Sequence, residues 1–360
     1  MSLVVSSSKV AVIGAGLAGA SCARALTQAG CTVHVIDKSR GVGGRLATRR
    51  LEWLDAQGDR HTARLDHGTP AISACGTEFR QFLAHGAQAG LVAPWQPALA
   101  AGSRPLDDAG SLYLPTQDMP SLCRWLLRDI PITLNFAVDS LRRDPRGWRI
   151  DAGGSTLPGH FDAVVLALPP AQAATLLGPQ RSDWTQRASI AWMQPCWTLM
   201  GVARPPARPI AWDVARPEQG PLAWVMRNDA RPGREPAADA AYWVAHARGG
   251  WSRQQLEQPA DWVLGQLQAA LQDCLGEPIE WRHAVVHRWR YAKPQPSGAA
   301  PARLGWWDEV LGLGVCGDFL GGTGAEGAWL SAQALSEAML EHVRPSVATP
   351  ATLAPQCFAA

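Results

Sequence analysis

The sequence predicts an α/β chain in two parts: a parallel, nucleotide-binding sheet and a second region of mixed, mostly antiparallel strands. Three observations predict it. A β-branched run, Lys9–Ile13, leads into the glycine-spaced loop Gly14-Ala15-Gly16-Leu17-Ala18-Gly19, followed by an Ala-rich helix and another strand pattern. Residues 171–300 instead alternate polar and apolar, the period of strands with one buried face. Near the end, a strand pattern over 310–316 runs through a glycine-rich turn into a long Ala/Leu helix over 325–342.

The elements follow in order. Leu17–Ala29 is expected to be helical and stopped by Gly30, with Thr32–Ile36 as the next strand. Arg49–Leu54 and Thr62–Leu65 form a hairpin around DAQGDR. Thr77–Ala89 reads as a helix, Pro94–Asp108 as a loop, and Asp118–Arg128 as a helix with an acidic start and an early proline. Ile132–Phe136, Val138–Arg142, Trp148–Asp151 and Ala163–Leu168 read as strands, the last ended by Pro169-Pro170. Strands are then expected at Cys196–Ala203, Leu222–Arg227, Ala241–Ala247 and Glu280–Trp289, with one amphipathic helix at Ala260–Leu275. The tail after Pro345 is Pro/Ala/Thr-rich and expected to fray.

Composition excludes several classes. The chain has 360 residues, enough for one large or two ordinary domains. A formal charge of +2 creates no global field toward nucleic acid or an anionic membrane. No apolar run reaches the roughly 18–20 residues of a membrane helix. The start, MSLVVSSSKVAVIGAG, lacks the charged and apolar regions of an export signal. The eight cysteines are scattered without a CxxC pair, as expected of reduced thiols in a cytoplasm, and no His/Cys cluster has zinc spacing. No metal is expected.

The loop at 14–19 is GxGxxG in the context its mechanism needs, strand before and helix after. The glycines allow a tight turn, close approach of a pyrophosphate and close helix–strand packing. The helix N-terminus offers free N–H groups to phosphate. Asp37 ends the second strand where a carboxylate can grip ribose hydroxyls, and it disfavours a 2′-phosphate, an objection Lys38 and Arg40 soften. A second match, Gly312–Gly317, lies inside a strand pattern and is set aside. Beyond Asp37, Gly43-Gly44-Arg45 joins a glycine pair that lets a ligand approach the backbone to an arginine fork suited to phosphate.

This arrangement resembles the glycine-doublet motif of flavin-dependent amine oxidases and desaturases, which bind FAD. Such proteins carry a late second motif, matched here by Val315-Cys316-Gly317-Asp318 and by Glu326-Gly327-Ala328 at the start of the final helix. More of the chain resembles the renalase family: Leu65-Asp66-His67-Gly68, Gly90–Trp95, Asp118–Trp125, Leu166–Pro169 and, most specifically, His287-Arg288-Trp289-Arg290-Tyr291-Ala292. The resemblance implies a p-hydroxybenzoate hydroxylase-like fold. Its FAD domain would come from 1–70, 109–170 and 302–345, and its substrate domain from 71–108 and 171–301, leaving a 346–360 tail. It implies non-covalent FAD held by Gly14, Ala15, Gly16, Leu17, Ala18, Asp37, Lys38, Gly43, Gly44, Arg45, Val138, Asp318, Glu326, Gly327 and Ala328. It also implies oxidation of dihydronicotinamide isomers of NAD(P), with O2 as acceptor and hydrogen peroxide as product. In that reading the partner is a small molecule, with neither nucleic acid nor membrane.

One departure stands out: the family's Gln-Tyr pair after the Asp-x-Gly stretch is replaced here by Pro70-Ala71. Hydride transfer from a dihydropyridine needs stacking and positioning rather than side-chain acid–base work. No Ser/His/Asp or paired-carboxylate array is evident. His67, Trp289 and Tyr291 are the expected walls of the substrate site, with His283, His287 and Trp329 as further candidates. Most of the 17 tryptophans fall between Trp184 and Trp307, which suits either an aromatic cavity or ordinary core packing. Two rivals remain: a flavin amine oxidase using Lys293, one of only three lysines, and a nucleotide-binding protein without turnover.

Overall fold

The computed structural model describes residues 8–106, 110–234, 239–295, 303–322 and 324–341. The expected tail at 346–360 lies outside the described residues, as does part of the 94–108 loop. Six strands form the main sheet, in the order Trp306–Asp308, Leu313–Val315, Ala163–Leu166, Lys9–Ile13, Thr32–Ile36, Ile132–Thr133. All pairings are parallel except that of the edge strand Trp306–Asp308. The central strands are buried on both faces, which is why they read as unbroken β-branched runs.

The two faces have separate covers. Helices Leu17–Gln28 and Gly324–Glu341 close one face through Leu26, Ala332, Leu335 and Met339. The antiparallel meander Ser140–Asp144, Gly147–Ala152, Ser155–Thr156 closes the other, with helices Pro170–Leu177 and Ser182–Ile190, around buried Trp148 and Trp184.

A second, wholly antiparallel sheet runs Val214–Ala215, Leu222–Arg227, Ala241–Ala247, Met193–Ala203, Trp281–Pro294. Its outer face carries Trp197, Leu199, Trp243 and Ala245 and packs on helix Ala260–Leu275 through Val263, Leu267 and Leu271. Met200, Val202, Met226 and Val244 belong instead to the core shared with the first domain. The segment before Ser103 docks on the sheet edge, where Ala98 N–H meets Asp213 at 2.9 Å and Ala100 N–H meets the Val214 carbonyl at 2.9 Å.

Two helices in residues 170–190 were not expected. Pro170 occupies the first helical turn, where its missing N–H costs nothing, so Pro169-Pro170 starts an element as well as ending one. The expected strand Val138–Arg142 is shifted to Ser140–Asp144, because 135–138 makes a tight turn with Val138 N–H on the Phe136 carbonyl at 3.1 Å. The expected helix Asp118–Arg128 is shorter, Ser121–Leu126.

Candidate functional site

The first strand delivers the glycine loop to the carboxyl edge of the main sheet, the position where such sheets bind ligands. Gly14 has φ +110°, and a Cβ there would lie 2.3 Å from the Ala167 carbonyl oxygen. At Gly19 a Cβ would lie 1.8 Å from the Gly14 carbonyl oxygen. Both glycines are therefore demanded by the fold itself. Gly16 differs: a Cβ there would meet nothing nearer than Gly44 Cα, at 3.8 Å. The helix that begins at Leu17 has no side-chain cap and no acid in its first turn, so its positive end is unanswered by the protein. Asp37 stands beside the loop, its carboxylate accepting Ala15 N–H and Ser39 N–H, each at 2.7 Å. Phe136 N–H meets the Asp37 carbonyl at 3.0 Å, which sets the Val138 turn next to that strand end. Lys38 points to solvent.

The glycine doublet closes onto this loop. Gly43 N–H donates to the Ala15 carbonyl at 2.8 Å, and Gly43 (φ +118°) and Gly44 (φ +57°) take conformations that favour glycine. Arg45, expected on a phosphate, forks onto the Asp318 carboxylate instead, at 2.6 and 2.7 Å, and donates to the Ala292 carbonyl at 3.0 Å. The early and late motifs thus meet through one bidentate pair. The fit to a dinucleotide is good: a capless helix end, a carboxylate at the end of the second strand and a Gly16 where a Cβ would clash with nothing in the protein.

Glu326 departs from expectation. Its carboxylate holds Cys75 N–H at 2.8 Å and Gly76 N–H at 2.6 Å, so only its main chain is left for a ligand. Gly327 and Ala328 are buried in the first turns of the final helix, where a Cβ on Gly327 would lie 1.6 Å from the Gly322 carbonyl oxygen.

The side chains expected to wall the substrate site meet where strand Trp281–Pro294 faces the turn after Leu65. His67 stacks on Trp289 with centroids 5.1 Å apart, and His287 meets both rings edge-on, at 5.0 and 4.4 Å. Trp289 Nε1–H donates to the His67 carbonyl at 3.1 Å, fixing the indole. His67 reaches this place because Gly68 N–H and Thr69 N–H pair with the carbonyls of Ala47 and Arg45, at 3.2 and 2.8 Å. A Cβ on Gly68 would lie 2.0 Å from the Arg45 carbonyl oxygen. Burial, reinforced by His287, His246 and Arg49, pushes the His67 imidazole down to about 3, with Asp66 opposing. Burial likewise lowers His287, with Arg49 adding to it. Both rings are neutral at pH 7.

Beneath them, Asp66 is fully buried, accepts hydrogen bonds from Arg234 at 2.7 and 2.9 Å and from Thr48 Oγ1–H at 2.5 Å, and forms an ion pair without a hydrogen bond to the buried Arg231, whose Nη1 lies 3.4 Å away. Arg231 also donates to the Pro70 carbonyl at 2.7 Å. The position of the departed Gln-Tyr pair is therefore occupied by a backbone acceptor and by Ala71, which packs on the core.

Residues 12–85 match the NAD(P)-binding Rossmann-like domain, and residues 96–340 match the flavin containing amine oxidoreductase family. The chain belongs to the flavin-containing amine oxidoreductases. It is a flavin-dependent oxidoreductase with an α/β fold. Its architecture is similar to that of a candidate protoporphyrinogen oxidase from Exiguobacterium, at TM-score 0.68 and 12% identity, over 94% of this chain and 100% of that one. Cyclohexylamine oxidase from Brevibacterium oxydans matches at TM-score 0.62 and 13% identity, over 94% of this chain and 99% of that one. Among curated proteins, the chain is 29% identical over 209 residues to the tRNA 5-methylaminomethyl-2-thiouridine biosynthesis bifunctional protein MnmC of Magnetococcus marinus. That match covers 48% of this chain and only 31% of the relative's length.

In this flavin oxidoreductase the remaining candidates divide. Tyr291 lies two residues along the strand from Trp289 and beside Ala292, which Arg45 holds. His283 is drawn elsewhere, stacked on Trp53 at 5.4 Å. Trp329 packs on Phe79 and Phe82, at 5.6 and 5.4 Å, as core rather than wall. Lys293 is exposed. Sequence reasoning missed His246 and Thr198, which sit in register with His287 across three strands. Among the described residues no helix is long and apolar enough to cross a membrane.

Proposed function

We propose that this protein is an FAD-dependent oxidase of dihydronicotinamides, of the renalase type, acting on misreduced isomers of NAD(P). The observation that carries the reading is the neutral aromatic wall of His67, Trp289 and His287, joined through Arg45 to the dinucleotide cradle. The main chain of Gly16, Leu17 and Ala18 at the capless helix end would take the pyrophosphate, and Asp37, which Ala15 N–H holds in place, the adenosine ribose, with Lys38 and Val138 flanking it. Gly43 and Gly44 would let the cofactor lie against backbone. Arg45 and Asp318 would hold its ribityl side, and the main chain of Glu326, Gly327 and Ala328 would stand at the start of the final helix. Bound FAD would supply a two-electron acceptor that takes hydride from the substrate and returns the electrons to O2 as hydrogen peroxide.

The protein's own residues position. The indole of Trp289, pinned to the His67 carbonyl, offers a flat surface of fixed orientation. Tyr291 extends that surface. Neutral His67 and His287 bring no charge against a pyridine ring; the hydride leaves without a proton having to move, and the one proton that peroxide formation takes up comes from solvent. An exposed Lys293 serves an amine oxidase mechanism poorly.

The test is the visible spectrum of the purified protein, followed by anaerobic mixing with dihydro-NAD isomers and with amines. Rapid bleaching by the isomers is expected. Bleaching by amines alone overturns the substrate, a yellow protein that nothing reduces points to a non-catalytic binder, and a folded, colourless protein that refuses FAD overturns the whole reading.

A further inference from the structure

We propose that His246 is a specificity-determining residue: its free ring nitrogen accepts a hydrogen bond from a donor on the substrate, while the surrounding charge turns cationic amines away. The inference rests on the reading that a planar ring lies against Trp289, and it adds what distinguishes one such ring from another.

Strand pairing places His287, Thr198, His246 and Trp224 in one row across four strands. Thr198 and His246 are both buried. One ring nitrogen of His246 donates to the His67 carbonyl, which also receives Trp289. The other, Nε2, is buried without a partner among the described residues. That pattern fixes the tautomer: Nδ1 carries the proton and Nε2 is left as an acceptor. His67 Nδ1 is likewise buried and unpartnered. Two unanswered imidazole nitrogens in one cluster are costly unless a ligand answers them. Burial and Arg231 hold His246 down to about 4, so the acceptor stays free at neutral pH.

The charge around this row is positive or spent. Arg231 and Arg49 both act on the histidines. Asp66, the carboxylate beside them, already serves Arg234, Arg231 and Thr48. Among the charged groups that act on these histidines, the one carboxylate is Asp66, so an ammonium group would enter without a free counter-ion from that set. A neutral group bearing an N–H, such as a primary carboxamide, meets an acceptor and no penalty.

The experiment is a spectral titration of the flavin-loaded protein with nicotinamide, with methyl nicotinate (the same ring without an N–H) and with benzylamine. Nicotinamide should bind about ten-fold tighter than methyl nicotinate, the value of one well-made hydrogen bond. His246→Phe should bring that ratio close to one at unchanged flavin content, and His246→Gln should keep part of it. Should His246→Phe lose its flavin, His246→Met decides by the same criterion. A wild-type protein that binds both rings equally, or neither, overturns the assignment, as does a variant that keeps flavin and the full ratio. Benzylamine binding as tightly as nicotinamide overturns the charge argument. A preference that vanishes in the variant, in a protein that no dihydronicotinamide reduces, upholds His246 and overturns the proposed substrate instead.

Discussion

Asp66→Asn is expected to be among the most damaging conservative substitutions outside the cofactor cradle. Asp66 and Arg231 are both completely buried, and Arg234 is nearly so. Asparagine keeps the shape and removes the charge. Arg231 would then stay buried without a counter-ion, with its Nε and Nη1 already lacking hydrogen-bond partners. Burial, with Arg234 adding to it, pulls this guanidinium down to about 10 even though Asp66 opposes the fall. Breaking such a pair from one side costs about 3–5 kcal/mol. At about 2 °C per kcal/mol for a large domain, Tm should drop by about 6–10 °C. The assay is thermal unfolding by circular dichroism, read against flavin content. The double variant Asp66→Asn/Arg231→Met, which removes the stranded charge as well, should recover a large part of the loss. A single variant within about 2 °C of wild type, or a double variant no better than the single, would refute the view that Asp66 matters as the counter-ion of Arg231.

The two glycines of the loop should separate fold from ligand. Gly14→Ala, whose Cβ would collide with the Ala167 carbonyl, should destabilise the protein with or without flavin. Gly16→Ala, whose Cβ would make only ordinary van der Waals contact with Gly44 Cα at 3.8 Å, should leave the flavin-free Tm unchanged and weaken flavin binding at least ten-fold, measured by fluorescence titration. The acid side of the stability curve should carry His67 and His246, whose folded values of about 3 and 4 lie below the unfolded value near 6.5. Below about pH 6.5 the unfolded chain binds protons that the folded one refuses, so stability falls with pH in that window, and His246→Phe should flatten the slope in urea titrations across pH 4–7. Turnover should show no loss near pH 6.5 from these rings; an acid limb there would place a protonating histidine in the chemistry. Lys293→Met should leave kcat within about two-fold, whereas a hundred-fold fall would favour amine oxidation through that lysine.

Much of the cradle was legible because each of its parts obeys a local rule. GxGxxG, Asp37 and Gly43-Gly44 sit at turn and strand ends where backbone geometry, not distant packing, selects the residue. The final helix and Ala260–Leu275 emerged from periodicity alone. The two helices after Pro169 were hidden because a proline pair signals a stop and a first helical turn equally well. The tryptophans left two readings open for a related reason. Alternation tells which residues share a face but not which face meets the site: Trp197, Trp243 and Trp281 look toward helix Ala260–Leu275, and Trp289 looks the other way. His246 and Thr198 carried no motif at all. Only cross-strand register, a long-range property, brings them level with His287. For Glu326 the motif names a residue without saying whether its side chain or its main chain is used; its side chain holds Cys75 and Gly76 N–H.

The junction at Arg45 shows how a chain in which no acid–base array is evident among the described residues can still be an enzyme of this family. Its guanidinium takes Asp318 and the Ala292 carbonyl, while its own carbonyl takes Thr69 N–H. One residue therefore ties the late cofactor motif, the strand that carries Trp289 and Tyr291, and the turn that carries His67. Arg45 is partly open to solvent, so the ion pair by itself contributes little to stability. Its value lies in direction: a planar fork fixes two partners at one angle, which lysine cannot do. A reaction that depends on holding a flat ring at a set distance from a flat cofactor needs that register more than it needs a proton donor. The glycine pair before Arg45 lets its backbone lie against the loop at Gly16, so the loop and the residue that orients Trp289's strand are held in one register.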